Sequence, residues 1–137
     1  LVCVHRKGAT RAFGPHHPDV PHAYRSIGQP VLIPGDMGRC SYVLLGTQRA
    51  MAETFGSSCH GAGRVMSRTQ ASRVAKDRAL DRELADQGIL VRAAGRETLA
   101  EEMPAAYKDV TEVVETVAAA GLAVKVVKLK PLAVIKG

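Results

Sequence analysis

Val31-Leu32-Ile33-Pro34-Gly35-Asp36-Met37-Gly38 and, after Arg39-Cys40, Ser41-Tyr42-Val43-Leu44-Leu45-Gly46 are the stretches whose reading decides the fold class. Each apolar run is too short for a helix and is closed by glycine or proline, so the pattern predicts two strands joined as a hairpin or by a longer connection. Thr47 follows at once as a helix cap. Ala50, Met51 and Thr54 fall at helical spacing, so a short helix is expected through Phe55.

Working outward, helices are expected over residues 62–74 and 76–87, the second closed by Gly88, with a strand at 89–91. A helix over 97–103 stops at Pro104. Asp109-Val110-Thr111-Glu112 resembles a capping box, opening a helix that runs to Gly121 and buries Val113, Val114 and Val117. Residues 123–129 and 132–135 are β-rich and separated by Pro131. Toward the N-terminus, Leu1 to His5 reads as β-like. Pro15, Pro18, Pro21 and Pro30 mark an irregular surface loop that holds His16, His17 and His22. The expectation is an α/β chain, a mixed sheet with packed helices.

With 137 residues there is room for one ordinary domain. Hydrophobic residues at 46% and charged residues at 23% exclude a disordered or collagen-like chain. No apolar run approaches the roughly 18 residues of a spanning helix. Trp is absent and aromatics are 4%, so the core must be aliphatic. The chain starts at Leu1, in an apolar stretch with no basic head, which reads as a fragment of a longer protein and not as a signal peptide. Cys3, Cys40 and Cys59 are widely spaced and odd in number, which points to a reducing, cytoplasmic setting. With no CxxC, a zinc ribbon is excluded. The net charge is +6, and residues 1–50 carry six bases against two acids, whereas residues 93–137 carry six against six. Such a balance suits nucleic acid or phosphorylated ligands, and it also suits an ordinary solvated surface.

The segment Gly56-Ser57-Ser58-Cys59-His60-Gly61-Ala62-Gly63-Arg64 is a loop by composition. Gly56 and Gly61 have P-loop spacing, but Ala62 stands where the lysine must be, so the Walker reading fails. A histidine remains in a Gly-rich turn before an expected helix. Small residues let a phosphate approach the backbone, and helix N–H groups favour an anion. Neutral imidazole at His60 could then attack phosphorus. The competing reading is a turn histidine held by a carbonyl. Arg64 and Arg68 are four apart on the expected helix and could clamp phosphate or simply face solvent. Cys59 and His60 could also ligate a metal with Cys3, His5, His16 or His17, although no recognised spacing links them. Ser57, Ser58 and His60 are too close in sequence for a hydrolase triad, and GxSxG is absent.

In order along the chain stand His5-Arg6-Lys7-Gly8-Ala9-Thr10-Arg11-Ala12-Phe13, then Gly28-Gln29-Pro30 running through Gly38, then Ser41-Tyr42-Val43-Leu44 and Cys59-His60-Gly61-Ala62-Gly63-Arg64. Glu101-Glu102-Met103-Pro104-Ala105-Ala106-Tyr107-Lys108-Asp109-Val110 and a closing Lys136-Gly137 follow. This set resembles the C-terminal part of an RtcB-type RNA ligase, the tRNA-splicing ligase family, over essentially the whole of 1–137, as one part of a single catalytic domain.

The resemblance implies that His60 is guanylylated by GTP and passes GMP to an RNA 3′-phosphate. A 5′-hydroxyl then attacks, and 2′,3′-cyclic ends are opened first. It also implies that Ser41, Gly61, Ala62, Gly63, Tyr107 and Lys136 line the nucleotide pocket. Lys7, Arg64 and Arg68 match positions that hold RNA phosphate. RNA ends, such as tRNA halves, are the implied substrate, and an archease-type activating protein is an implied partner. Mn²⁺ is the implied cofactor, held in the family by an Asp, a Cys and several His of upstream segments, so no metal ligand is assigned within this chain. One departure is Arg39, where the family often has a small residue; it adds a charge beside the expected nucleotide site. The reading from another class is a non-catalytic nucleotide- or RNA-binding module derived from this family.

Overall fold

The structure is a computed structural model and describes residues 1–136. Alternation in the two deciding runs sets their pairing. In β2 (Pro30–Ile33) and β3 (Ser41–Gly46), Val31 and Ile33 lie opposite Leu44 and Tyr42 in an antiparallel ladder. β6 (Ala123–Leu129) pairs antiparallel with the other side of β3, with a register shift between Val43 and Leu44. One face of this sheet buries Val31, Ile33, Tyr42 and Leu44 against Val110 and Val114 of α5 (Val110–Ala119). Residues two apart share a face, so Leu32, Val43 and Val127 line up on the opposite side.

Two small sheets complete the fold. β1 (Ala9–Arg11) and β4 (Ser57–Cys59) are antiparallel, with Ala9 opposite Cys59. β5 (Leu90–Ala93) and β7 (Ala133–Lys136) are parallel, with Ala93 opposite Lys136. A second core joins Met37, Ala71, Leu80, Leu84, Ile89, Leu99, Met103 and Val134. Its helices are α2 (Arg68–Val74), α3 (Leu80–Asp86) and α4 (Arg96–Glu101). The connection between β2 and β3 spans both cores, because Met37 sits in the second and Cys40 in the first.

Local chemistry explains the helix ends. The Thr47 hydroxyl accepts from the Ala50 amide at 3.1 Å and opens α1 (Gln48–Thr54). Asp109 accepts from the Thr111 amide at 2.7 Å and opens α5. Gly88, one residue past the Gln87 cap of α3, has φ +79°, a conformation open to glycine.

Several expectations need correction. Leu1 to His5 forms no strand; the first strand is β1, because alternation without a partner ladder leaves backbone groups unpaired. The segment from Gly56 is not all loop, since its first half pairs with β1 as β4. The helix expected from residue 62 begins only at Arg68, where the Ser67 hydroxyl accepts from the Gln70 amide. Upstream of that cap, the Val65 and Met66 amides both donate to the Ala106 carbonyl, and Gly61 and Gly63 disfavour a helix. The helix expected over 76–87 is confined to Leu80–Asp86. In α5, Val110 and Val114 are the fully buried valines, while Val113 and Val117 are half-buried. Among the described residues, no helix is long and apolar enough to cross a membrane.

Candidate functional site

His60 follows β4 directly, so the β1–β4 ladder fixes where it leaves the sheet. Its side chain is exposed and has no protein hydrogen-bond partner among the described residues. The turn after it is anchored by its neighbours. The Ala62 amide donates to the Pro34 carbonyl at 3.2 Å, and the Ala62 methyl is buried in the first core. Gly63 has φ +78°, and its carbonyl accepts from the Lys108 amide at 3.0 Å. Arg64 then forms a bridge with Tyr107. The turn is therefore pinned on one side by the β2–β3 connection and on the other by the segment around Tyr107.

These segments border an open cavity of about 550 Å³ at the seam of the two cores. Ser41, His60, Gly61, Ala62, Gly63, Tyr107 and Lys136 all line it. All seven residues expected at the nucleotide are thus brought together from four separate stretches of chain. The Ser41 hydroxyl accepts from the Gly35 amide at 3.3 Å, which leaves its own proton to donate. Lys136 is carried in by β7, and its carbonyl accepts from the Ala94 amide at 3.0 Å. A second cavity, about 580 Å³, lies between α2, α3, α4 and β5 and holds none of these residues.

The three expected phosphate contacts do not line the cavity. Lys7 is exposed just before β1. Arg68 opens α2, is 67% exposed and lies 3.5 Å from a Glu102 oxygen. Arg64 is engaged on every side: its Nε donates to the Met66 carbonyl at 3.0 Å, and its terminal nitrogens donate to the Glu101 carbonyl, to Glu102 and to the Tyr107 hydroxyl. Its guanidinium carbon is 4.8 Å from the centroid of the Tyr107 ring. The pair does not share a helical face, since Arg64 precedes the helix. Both arginines instead meet at Glu102.

Glu102 and Tyr107 were not paired by sequence reasoning. The Tyr107 hydroxyl donates to Glu102, and both line the cavity. Burial pushes the Glu102 carboxyl up, but the Tyr107 hydrogen bond and the charges of Arg64, Lys136 and Arg68 outweigh it and hold it below the ordinary glutamate value. Burial and the Glu102 hydrogen bond raise the Tyr107 phenol. Gly35, Asp36 and Met37 also line the cavity, and Arg39 ties that turn to the Tyr107 segment. The signal for Gly35 to Met37 was the Pro-Gly-Asp turn beside the strand. Nothing in the spacing pointed to Glu102.

The implied Mn²⁺ finds no fit in this segment. Among the described residues no three His, Cys, Asp or Glu side chains come together as ligands. This also removes the grouping of Cys59 and His60 with Cys3, His5, His16 or His17 around a metal. Cys3, Cys40 and Cys59 are all free thiols.

The family model for tRNA-splicing ligase RtcB matches residues 1–137. The chain is similar to the tRNA-splicing ligase RtcB of Thermococcus kodakarensis, 58% identical over 136 residues, and to that of Pyrococcus horikoshii, 57% identical over 136 residues. The protein of the same name from Archaeoglobus fulgidus is 56% identical over 136 residues. Each match covers 99% of this chain but only 28%, 16% and 28% of the respective relative, so the chain spans under a third of their length. A whole-length family match, the sequence identity and the convergence of the HGAGR turn with its expected neighbours on one cavity agree: the chain belongs to the tRNA-splicing ligase RtcB family.

Proposed function

We propose that residues 1–137 form the C-terminal part of a catalytic domain and carry the nucleotide pocket and nucleophile of a GTP-dependent RNA ligase. The observation that supports this reading is one cavity lined by an exposed His60 and by all six other residues expected around GMP. A His60 ring nitrogen attacks the α-phosphorus of GTP. The bond to the β-phosphate oxygen breaks, pyrophosphate leaves, and a phosphoramidate joins His60 to GMP. An oxygen of an RNA 3′-phosphate then attacks that phosphorus and frees His60. A 5′-hydroxyl attacks the activated 3′-phosphate, GMP leaves, and a phosphodiester closes the break. Water opens a 2′,3′-cyclic phosphate beforehand.

Each residue has a task that its chemistry allows. Lys136 donates to the guanine carbonyl and rejects adenine, whose amino group at that ring position is itself a donor. Ser41 donates from its free proton, and Tyr107 forms a wall. The Ala62 amide is engaged by Pro34, so the amides of Gly61 and Gly63 are left to meet phosphate oxygens. Arg68 and Lys7 are the exposed cations for RNA phosphate. No step here is routed through a metal. The substrate is RNA with broken ends, in the cytoplasm, and an archease-type activator is a partner.

The test is labelling with GTP carrying label at the α-phosphate, in the longer protein that contains this segment. Label is expected on His60, stable to alkali and stripped by acid, and it should vanish in His60→Ala with the melting temperature unchanged. Persistent labelling of His60→Ala overturns the nucleophile.

A further inference from the structure

Arg39 does not line the cavity, yet it holds two of its walls together. Its Nε donates to Asp36, whose side chain is fully buried, and the other Asp36 oxygen accepts from the Gly38 and Arg39 amides at 2.9 and 3.0 Å. One terminal nitrogen of Arg39 reaches the carbonyls of Pro104, Tyr107 and Lys108 at 3.0, 2.9 and 3.2 Å. The other lies 3.9 Å from Asp109, the cap of α5. The first wall is the turn that carries Gly35, Asp36 and Met37 and leads into Ser41. The second is the segment that carries Tyr107.

The geometry points to Arg39 as a positioning residue that sets the separation of Ser41 and Tyr107, and so controls nucleotide affinity without touching the nucleotide. This rests on reading the cavity as the nucleotide pocket. The planar fork is what the arrangement needs, because Nε meets the Asp36 carboxylate while one terminal nitrogen reaches three carbonyls of another segment and the other faces Asp109. Lysine offers a single ammonium and cannot span both. Arg39 is thus the clamp of the pocket, not a loose charge beside it. Arg64 grips the same segment from the far side through the Tyr107 hydroxyl and ring.

The test uses the longer protein and measures GTP KM and kcat for self-guanylylation with Arg39→Ala and Arg39→Lys. KM should rise roughly tenfold in both, as befits loss of charge-assisted hydrogen bonds, with kcat at saturating GTP changed less than about twofold. Guanidinium added to Arg39→Ala should lower KM again, and Arg39→Lys should not restore it. Val117→Ala, in the first core on α5, supplies a variant destabilised by packing alone, and its KM should stay at the wild-type value. If Arg39→Ala fails to fold, Arg39→Lys alone decides. A wild-type KM in a folded Arg39 variant, or an equal KM rise in Val117→Ala, overturns the positioning role while leaving the nucleotide reading intact. A wild-type protein that takes up no GTP overturns both.

Discussion

Glu102 and Tyr107 are titratable groups that the fold uses in one protonation state each. Glu102 is held below the ordinary glutamate value, so its contribution to stability is present above that value and is lost as pH falls through the lower folded one. Tyr107 is raised, so its contribution is present below the ordinary tyrosine value and is lost as pH rises through the higher folded one. Melting temperature followed from about pH 6 down to about pH 3 should therefore fall less steeply in Glu102→Gln than in the wild type. Parallel acid limbs would show that Glu102 does not contribute. The two arginines beside this pair should behave differently. Arg64→Ala removes bonds from a largely enclosed guanidinium and should cost about 1.5–3 kcal/mol of stability. Arg68→Ala, at an exposed side chain, should leave stability unchanged and flatten the salt dependence of RNA binding by about 0.7 log units per log unit of salt. Sequence spacing treated these two arginines as equivalent. The difference arises from Glu102 and Tyr107, which reach Arg64 across 38 and 43 positions in the chain, and no local pattern encodes such a contact.

Short-range chemistry was legible in the elements. Thr47, Asp109 and Gly88 act at helix ends as their types require, and alternation in residues 31–33 and 41–45 sets the pairing of β2 with β3. The start of α2 was missed because Ser67, a good cap, follows a Gly-rich stretch and then Val65 and Met66, whose amides are used by the Ala106 carbonyl. β4 was missed because serine and cysteine carry little strand preference, and its ladder comes from β1, far back in the chain. The motif residues of the pocket were found through their resemblance to a family, whereas their convergence depends on pairings no window contains. Two elements can be tested directly. Thr47 both caps α1 and donates to the Gly121 carbonyl at 2.8 Å, joining α1 to the turn before β6. Thr47→Ala should therefore cost about 1–2 kcal/mol in denaturant unfolding, with Ser67→Ala, a cap alone, nearer 1. At β7, parallel pairing with β5 holds Lys136 in place up to its own carbonyl. Lys136→Met should raise the KM for GTP by roughly 10- to 150-fold and barely move the melting temperature. An unchanged KM would remove the C-terminal wall from the guanine pocket.

In the molecule as a whole, strand β6 turns its polar side inward and its apolar side outward. The β2–β3–β6 sheet packs one face on α5, and that face carries the lysines of β6: Lys125 donates to Glu115 of α5 at 2.6 Å, and Lys128 lies 5.8 Å from the centroid of the Tyr42 ring. The face turned outward is apolar, with Leu32, Val124, Val127 and Leu129 exposed by 61, 56, 44 and 42%. An antiparallel sheet with one solvated face normally presents the polar alternation there, and an apolar patch of this kind marks a surface for contact. The 137-residue chain on its own is therefore expected to bind a hydrophobic dye and to self-associate as its concentration rises. Val124→Lys with Val127→Lys should suppress both and leave the melting temperature of the isolated chain unchanged, because these side chains are not part of either core. In the longer protein, of which relatives have more than three times this length, the same pair should lower the melting temperature, since an ammonium trapped in a covered apolar face costs several kcal/mol. Dye binding and self-association unaltered by the two lysines would place the adhesive surface elsewhere, and a longer protein indifferent to them would show that this face stays open to water.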